Sequence, residues 1–509
     1  MSEKWYRIIL GAAFLVLITI PYLAGFSASS SQEQFGGFLM NPIDGHSYLA
    51  KMQQGYNGSW RFKLAYTSEA GNGAFLFLFY LGLGHLGRIT QLPLIFVFHA
   101  ARILSAVWLF NLIEKLMRDL FKENQMVRTG MILALIGSGL GWSAVLAGLF
   151  TSDFWVAEAY PFLSAYTNPH FCLGIGIMVF SLLSNNQDRW GRNLIAGILL
   201  GIVQPFGVVI IGLVKVIEAI IKIYQEKIRL RDLVKSPWFW SVGLFCLGGG
   251  LVLLYQFWAI LSDPILVQWH QQNITPKPSI FDLILSFSPC LILAIVGMER
   301  AWKSEPGKRL VIWMVIGLGL VFIPWSLQRR FLTGLFFPLS ALSVFGLEVL
   351  AEKISMKFRI GVIILLFLAV PTNLVILASG FQAVAVRDAK IFLDAGLKDG
   401  LTWLEENAED DALILADAET GLFIPSLTGR RVIYGHPFET IQAGVKEAQV
   451  ENFFYQEQTV ERYGRALDNF KAEYILAGDG QSESLHRWLD DNLLVVYQSG
   501  KYRIYEVWK

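Results

Sequence analysis

The chain has 509 residues, of which 54% are hydrophobic and 16% charged. That balance excludes a soluble chain of this length and puts most of it in a membrane. With 42 Lys and Arg against 41 Asp and Glu the net charge is +1, so nothing points to nucleic acid as a partner.

Lys4 and Arg7 precede an apolar run over 8–23 of about the length of a span. A cleaved signal peptide is the alternative, because AGFSASSS is rich in small residues. An uncleaved anchor is preferred, since many more spans follow, and the two cations then place the N-terminus in the cytoplasm. The stretch 40–60 is too polar for a bilayer core. Within it Tyr48, Met52 and Tyr56 recur at helical spacing on one face. Asp44 is placed to cap that helix, which is expected to lie on the outer membrane surface. Residues 75–83 are apolar but short, with glycines around them, and are read as a second surface helix.

From 94 onward apolar runs alternate with basic and non-basic loops. Spans are expected over 94–116, 131–150, 171–183, 195–203 with 208–223, 238–260, 283–296, 311–325, 335–350 and 360–377. The pair 195–203 and 208–223 is broken at Gln204-Pro205-Phe206-Gly207. Loops that collect Lys and Arg are cytoplasmic. The loop 151–169, with Asp153 and Glu158 and no Lys or Arg, is then external. The expectation is a polytopic α-helical membrane protein of about eleven transmembrane helices. An odd number puts the C-terminal part on the same side as Asp44. Cys172, Cys246 and Cys290 all fall in apolar runs, where core packing is their default role.

After about 387 acidic residues accumulate and apolar runs shorten to strand length, at 413–415, 432–434, 474–476 and 494–497. Helix-like stretches over 398–408, 459–470 and 481–490 separate them, and Ser499-Gly500 marks a tight hairpin. The expected division is a membrane module over 1–386, with external loops 26–93 and 151–169, and a small extracytoplasmic α/β domain over 387–509.

The arrangement resembles the membrane glycosyltransferases of the GT-C fold, such as protein O-mannosyltransferases and the aminoarabinose transferase of lipid A. A first span leads to an external acidic residue and an aromatic, small-residue helix, here Asp44-Gly45-His46-Ser47-Tyr48 through Gly58-Ser59-Trp60. A second surface helix follows, then Arg102 at the start of the next span. A second external loop carries Asp153 and Glu158 and ends in Asn168-Pro169-His170. Gln328-Arg329-Arg330-Phe331 precedes a late span. Better-known members commonly carry Asp-Glu or Asp-Asp where Asp44-Gly45 stands. The segment GRRVIYGHPFET at 429–440 looks like the external domain of uncharacterised bacterial members.

The resemblance implies transfer of a sugar, with inversion, from a polyprenyl-phosphate carrier to a lipid, glycan or protein acceptor. Asp44 takes the role of base for the acceptor hydroxyl, or of metal ligand. Arg329 and Arg330 suit the phosphate leaving group through their guanidinium forks, with Arg102 as a further candidate. Asp153, Glu158 and His170 could orient the acceptor, and Asp44, Asp153 and Glu158 could share a divalent cation. These groups are expected around one cavity open to the outer leaflet. His46 is read as a surface-helix residue, Lys51 and Lys63 as contacts to lipid headgroups, and His436 and Glu439 as turn residues. The rival readings are a lipid or sugar transporter or flippase, and a catalytically silent relative that scaffolds envelope assembly.

Overall fold

The structure is a computed structural model that describes residues 2–69, 71–183 and 189–507. By its internal packing the chain forms two compact units, divided otherwise than at 386. The first holds Met1–Pro21, His99–Tyr255 and Ile274–Gln382. The second holds Tyr22–Phe98, Gln256–Asn273 and Ala383–Lys509.

The first unit is helical. Among the described residues four helices of the chain are long and apolar enough to cross a membrane: α1 (Glu3–Ser27), α4 (Leu94–Leu120), Pro237–Ser262 and the continuous stretch Phe358–Ala385. Between α1 and α4 lie α2 (Pro42–Tyr56) and α3 (Leu78–Thr90), both in the second unit. Leu247, Leu251 and Leu254 are more than half exposed along one side of Pro237–Ser262, as expected of a lipid-facing stripe.

Shorter apolar helices occupy other expected spans, among them Pro169–Leu182, Trp190–Val203, Pro205–Glu226 and Phe336–Lys353. The break expected before Pro205 is present, with Gln204 outside the helical region. Proline fits the first position of the new helix, where no N–H is required.

Two expected single spans are divided. Over 131–150, helix Asn124–Ile136 stops before Gly137 and a short helix starts only at Gly141. The intervening backbone is held from outside. Ser138 N–H and Oγ–H both donate to Ala369 O, and Leu140 N–H donates to Leu285 O. Non-helical backbone at membrane depth is tolerated when protein supplies its partners in this way. Over 283–296, Ile280–Phe287 and Cys290–Trp302 meet at 77° across Pro289.

The second unit is built around a five-stranded sheet. Its strands are β3 (Leu413–Ala416), β4 (Arg431–Val432), β5 (Tyr474–Gly478), β6 (Leu494–Ser499) and β7 (Tyr502–Glu506), in the order β4-β3-β5-β7-β6. β3 is parallel to β4 and β5, whereas β7 is antiparallel to both of its neighbours. Gly500 turns the β6–β7 hairpin at φ +54°, where glycine has no Cβ penalty. Ile414, Leu415, Ile475 and Ile504 are fully buried in the sheet.

The segment after the first span joins this unit through strand pairing. β1 (Glu33–Phe35) runs antiparallel to β2 (Phe392–Asp394). That pairing, and the packing of helix Pro42–Tyr56 against helix Ala418–Thr428, join 22–98 to the C-terminal part. α2 and α3 touch backbone to backbone: a Cβ at Gly55 would lie 2.1 Å from Leu81 O, and one at Gly84 2.0 Å from Met52 O.

Candidate active site

α2 starts at Pro42. The cap position is Asn41, in left-handed backbone and without a side-chain cap bond. Asp44 lies inside the first turn, so its expected capping role is corrected, and its carboxylate is half exposed, at 49%. Gly45 is a packing requirement: a Cβ there would come within 2.4 Å of the buried Phe38 ring. A larger acidic residue at 45, as in the better-known members, has no room beside that ring.

Asp44, Ser47 and Lys51 follow one another at helical spacing on one face of α2. Lys51 is not a headgroup contact. It is 1% exposed, and its Nζ donates to Glu439 Oε1 at 2.6 Å and to Ser47 Oγ at 2.6 Å. Ser47 Oγ donates to the same Glu439 oxygen at 2.5 Å. The rings of Phe77, Phe62 and Tyr48 lie 4.6–5.4 Å from Nζ. Burial would raise the Glu439 carboxyl, but Lys51, His436 and the two hydrogen bonds outweigh it, so Glu439 is held below the ordinary range.

His436 also faces this cluster. Its Nδ1 accepts from the N–H groups of Phe438 and Glu439, and its Nε2 lies 4.0 Å from Asp44 Oδ1. Burial holds the imidazole below its usual range, against the pull of Glu439 and Asp44, which favours the neutral ring. His46 is buried as well, which corrects its reading as a surface residue. Its Nδ1 is 2.9 Å from Ser426 Oγ, its ring lies edge-on to Phe38 and Phe423, and burial lowers its pKa to about 3.

The other expected site residues belong to the first unit. Arg102 is 1% exposed and its Nη1 donates to the carbonyls of Ile18, Ala165 and Tyr166. The expectation of a phosphate ligand meets a buried cation that links the backbone of α1 to that of helix Pro161–Thr167. Asp153 is corrected too. One carboxylate oxygen accepts from Thr151 Oγ1, the other from Gly141 N–H and Thr372 Oγ1. Both oxygens are committed within the fold. His170 starts helix Pro169–Leu182 with its ring centroid 4.0 Å from that of Phe171.

The arginine turn meets the acidic loop within the first unit. Arg330 Nη1 lies 3.8 Å from Glu158 Oε1, and the Arg329 guanidinium sits 4.6 Å from the centre of the Trp155 ring. Gly334 N–H donates to Glu158 O, tying the two segments by backbone. The sequence expected these residues in one site, and Glu158 and Arg330 do come together.

Asp153 is not free to join a shared metal. Asp153 has both oxygens engaged by O–H and N–H donors, and among the described residues no three His, Cys, Asp or Glu side chains converge. A hard divalent cation asks for six or more oxygen ligands, or keeps several waters beside one or two carboxylates.

Sequence reasoning under-read Lys51, His436 and Glu439. The signal in the sequence was a polar stripe, Asp44-Ser47-Lys51, at helical spacing on α2.

No protein-family model and no curated protein matches the chain. Solved structures do match it. The archaeal oligosaccharyltransferase AglB from Archaeoglobus fulgidus, in complex with an inhibitory peptide and a dolichol-phosphate, aligns at TM-score 0.54 and 13% identity over 94% of this chain and 70% of that one. ArnT from Cupriavidus metallidurans, bound to undecaprenyl phosphate, aligns at TM-score 0.50 and 12% identity over 99% and 98%. The arabinofuranosyltransferase AftD from Mycobacteria aligns at TM-score 0.54 and 14% identity over 100% of this chain and 40% of that one.

The chain has the GT-C fold. At these identities the likeness concerns architecture. The GT-C fold and the apolar helices together make this a multi-pass membrane protein. Asp44 lies on the first helix after α1, a helix with a buried polar face.

Proposed function

We propose that this protein is a membrane glycosyltransferase that moves a sugar from a polyprenyl-phosphate-linked donor to an extracytoplasmic acceptor, with inversion. Asp44 acts as the base for the acceptor hydroxyl. The observation that carries the reading is a half-exposed carboxylate on the first helix after the first span of a GT-C fold, beside the buried His436, Glu439, Ser47 and Lys51. A carboxylate within hydrogen-bond reach of a hydroxyl suits proton removal. Arg329 and Arg330 are assigned to the phosphate of the donor, whose leaving charge needs fixed cations. The dolichol-phosphate and undecaprenyl phosphate held by the two similar structures support a lipid-linked donor. The N-terminus is assigned to the cytoplasm and Asp44 and the C-terminal region to the outer side, from the basic loops. The count of about eleven spans belongs to the same reading.

The test is mass spectrometry of envelope glycans and glycolipids after deletion of the protein. A sugar-bearing product should disappear and return with the wild-type chain but not with Asp44→Asn. Full restoration by Asp44→Asn removes the base assignment.

One observation favours a second reading, a lipid or sugar transporter. Lys215 is 1% exposed within the apolar helix Pro205–Glu226, and its Nζ has no hydrogen-bond partner among the described residues. Buried ionisable groups at membrane depth often mark transport paths. Loss of lipid or sugar flux on deletion, with every glycan retained, would favour that reading.

A further inference from the structure

The turn at 436–440 is closed by its own histidine. Phe438 and Glu439 donate their N–H groups to His436 Nδ1 at 3.1 and 3.2 Å. A ring nitrogen that accepts two such bonds carries no proton, so the ring hydrogen sits on Nε2. Nε2 is buried with no hydrogen-bond partner among the described residues, in a side chain 2% exposed. It lies 4.0 Å from Asp44 Oδ1. That is too long for a direct N–H···O bond; an oxygen bonded to both would sit about 2.8 Å from each atom and would displace the groups that now cover Nε2.

The distance is held by a second contact to the same helix. Glu439, three residues on, accepts from Ser47 and Lys51 of α2. The turn is therefore pinned to the face of α2 that carries Asp44. The charged groups facing the imidazole are Asp44, Glu439 and Lys51.

We propose that His436 Nε2–H is the second hydrogen-bond partner of the acceptor hydroxyl, whose oxygen lies between it and Asp44 Oδ1. The inference rests on Asp44 being the base. In the transfer the acceptor O–H bond breaks and its proton passes to Asp44. The acceptor oxygen forms a bond to the anomeric carbon. The bond from that carbon to the phosphate oxygen breaks, and its electron pair leaves on the polyprenyl phosphate. Nε2–H meets the negative charge that grows on the acceptor oxygen as its proton departs. The C-terminal region thus supplies part of the acceptor site, and the group it recognises is a hydroxyl.

Three full-length variants, expressed in the deletion strain, test this. Their yield of the sugar-bearing product lost on deletion is read by mass spectrometry, and their melting in detergent is recorded. His436→Asn keeps an acceptor near the Nδ1 position for the turn but does not reach Asp44. His436→Gln carries an N–H donor near the Nε2 position. The expected result is a loss of about 100-fold in His436→Asn with unchanged melting, and recovery of at least about tenfold of that loss in His436→Gln. Wild-type yield from His436→Asn, with Asp44→Asn inactive, overturns the role of His436 and leaves Asp44 as base. Equal loss in both His436 variants with lowered melting assigns the residue to the turn alone and also overturns it. Wild-type yield from Asp44→Asn instead overturns the underlying reading of the base.

Discussion

Lys51 Nζ and Glu439 Oε1 lie 2.6 Å apart, with side chains 1% and 10% exposed. They come from a helix after the first span and from a turn near the C-terminus. An ion pair this well buried is costly to break from one side, because the surviving charge stays out of water. Lys51→Met should lower stability by about 3–5 kcal/mol, while Lys51→Met with Glu439→Leu should recover most of it. Thermal melting in detergent of the two single variants and the double variant checks this. A single Lys51→Met that melts like wild type would contradict the buried pairing.

Gly45 should resist replacement by an acidic residue. Its Cβ position is 2.4 Å from the Phe38 ring, which is itself packed edge-on to His46 and Phe98. Gly45→Glu is expected to cost about 1–3 kcal/mol through overpacking. Shortening the ring with Phe38→Ala in the same chain should relieve the clash. Melting temperatures that do not couple between the two sites would show that the ring is not the obstacle.

Stability should fall as the medium is acidified below about pH 6.5. His46 titrates at about 3 in the folded protein because burial among Phe38, Phe423 and Ser426 disfavours its charged form. The sign follows from proton counts. Between the folded and unfolded values the unfolded chain binds more protons, so stability rises with pH across that window and drops as pH falls through it. His436 is shifted in the same direction. Glu439 is lowered, so its contribution persists above the unfolded carboxyl value of about 4.3 and does not account for a loss between pH 7 and 5. Melting measured from pH 7.5 to 5 should show a smaller slope in His46→Gln. An unchanged slope would remove His46 as a source.

Arg102 and the pair Arg329 and Arg330 should separate in behaviour. Arg102→Met removes a donor from the carbonyls of Ile18, Ala165 and Tyr166, and a cost of about 1–3 kcal/mol is expected for a buried group left unpaired. It should leave the affinity for undecaprenyl phosphate unchanged in protein that folds. Arg329→Ala with Arg330→Ala should weaken that affinity about 10- to 100-fold, the range of one charged hydrogen bond. Titration of purified protein with undecaprenyl phosphate distinguishes them. Equal affinities in all three proteins would count against the phosphate role.

Asp153→Ala should act on stability first. It strands the hydroxyl of Thr151 and the N–H of Gly141, while the Thr372 hydroxyl keeps Gly139 O as an acceptor at 3.2 Å. A loss of about 1–3 kcal/mol or more is expected, with activity following the folded fraction. A fully stable but inactive variant would restore Asp153 to the list of reacting groups.

By itself, the sequence determined what is local. Apolar runs of sufficient length made α1, α4, Pro237–Ser262 and Phe358–Ala385 legible as membrane helices, and Pro205 marked a helix boundary. Short β-rich runs and Ser499-Gly500 announced the C-terminal sheet and its hairpin. The position of Asp44 on the first helix after the first span was readable too. Tertiary structure alone decided which polar groups meet. Lys51 and Glu439 are 388 residues apart in the chain, and Asp153 and Thr372 are 219 apart. The divisions at Gly137 and Pro289 became visible only with the partners that receive the interrupted backbone. The physical reason is that periodicity and hydropathy report how one segment meets water or lipid. A polar side chain's role is set by the groups that replace its lost water, and those arrive from elsewhere in the chain when it closes on itself.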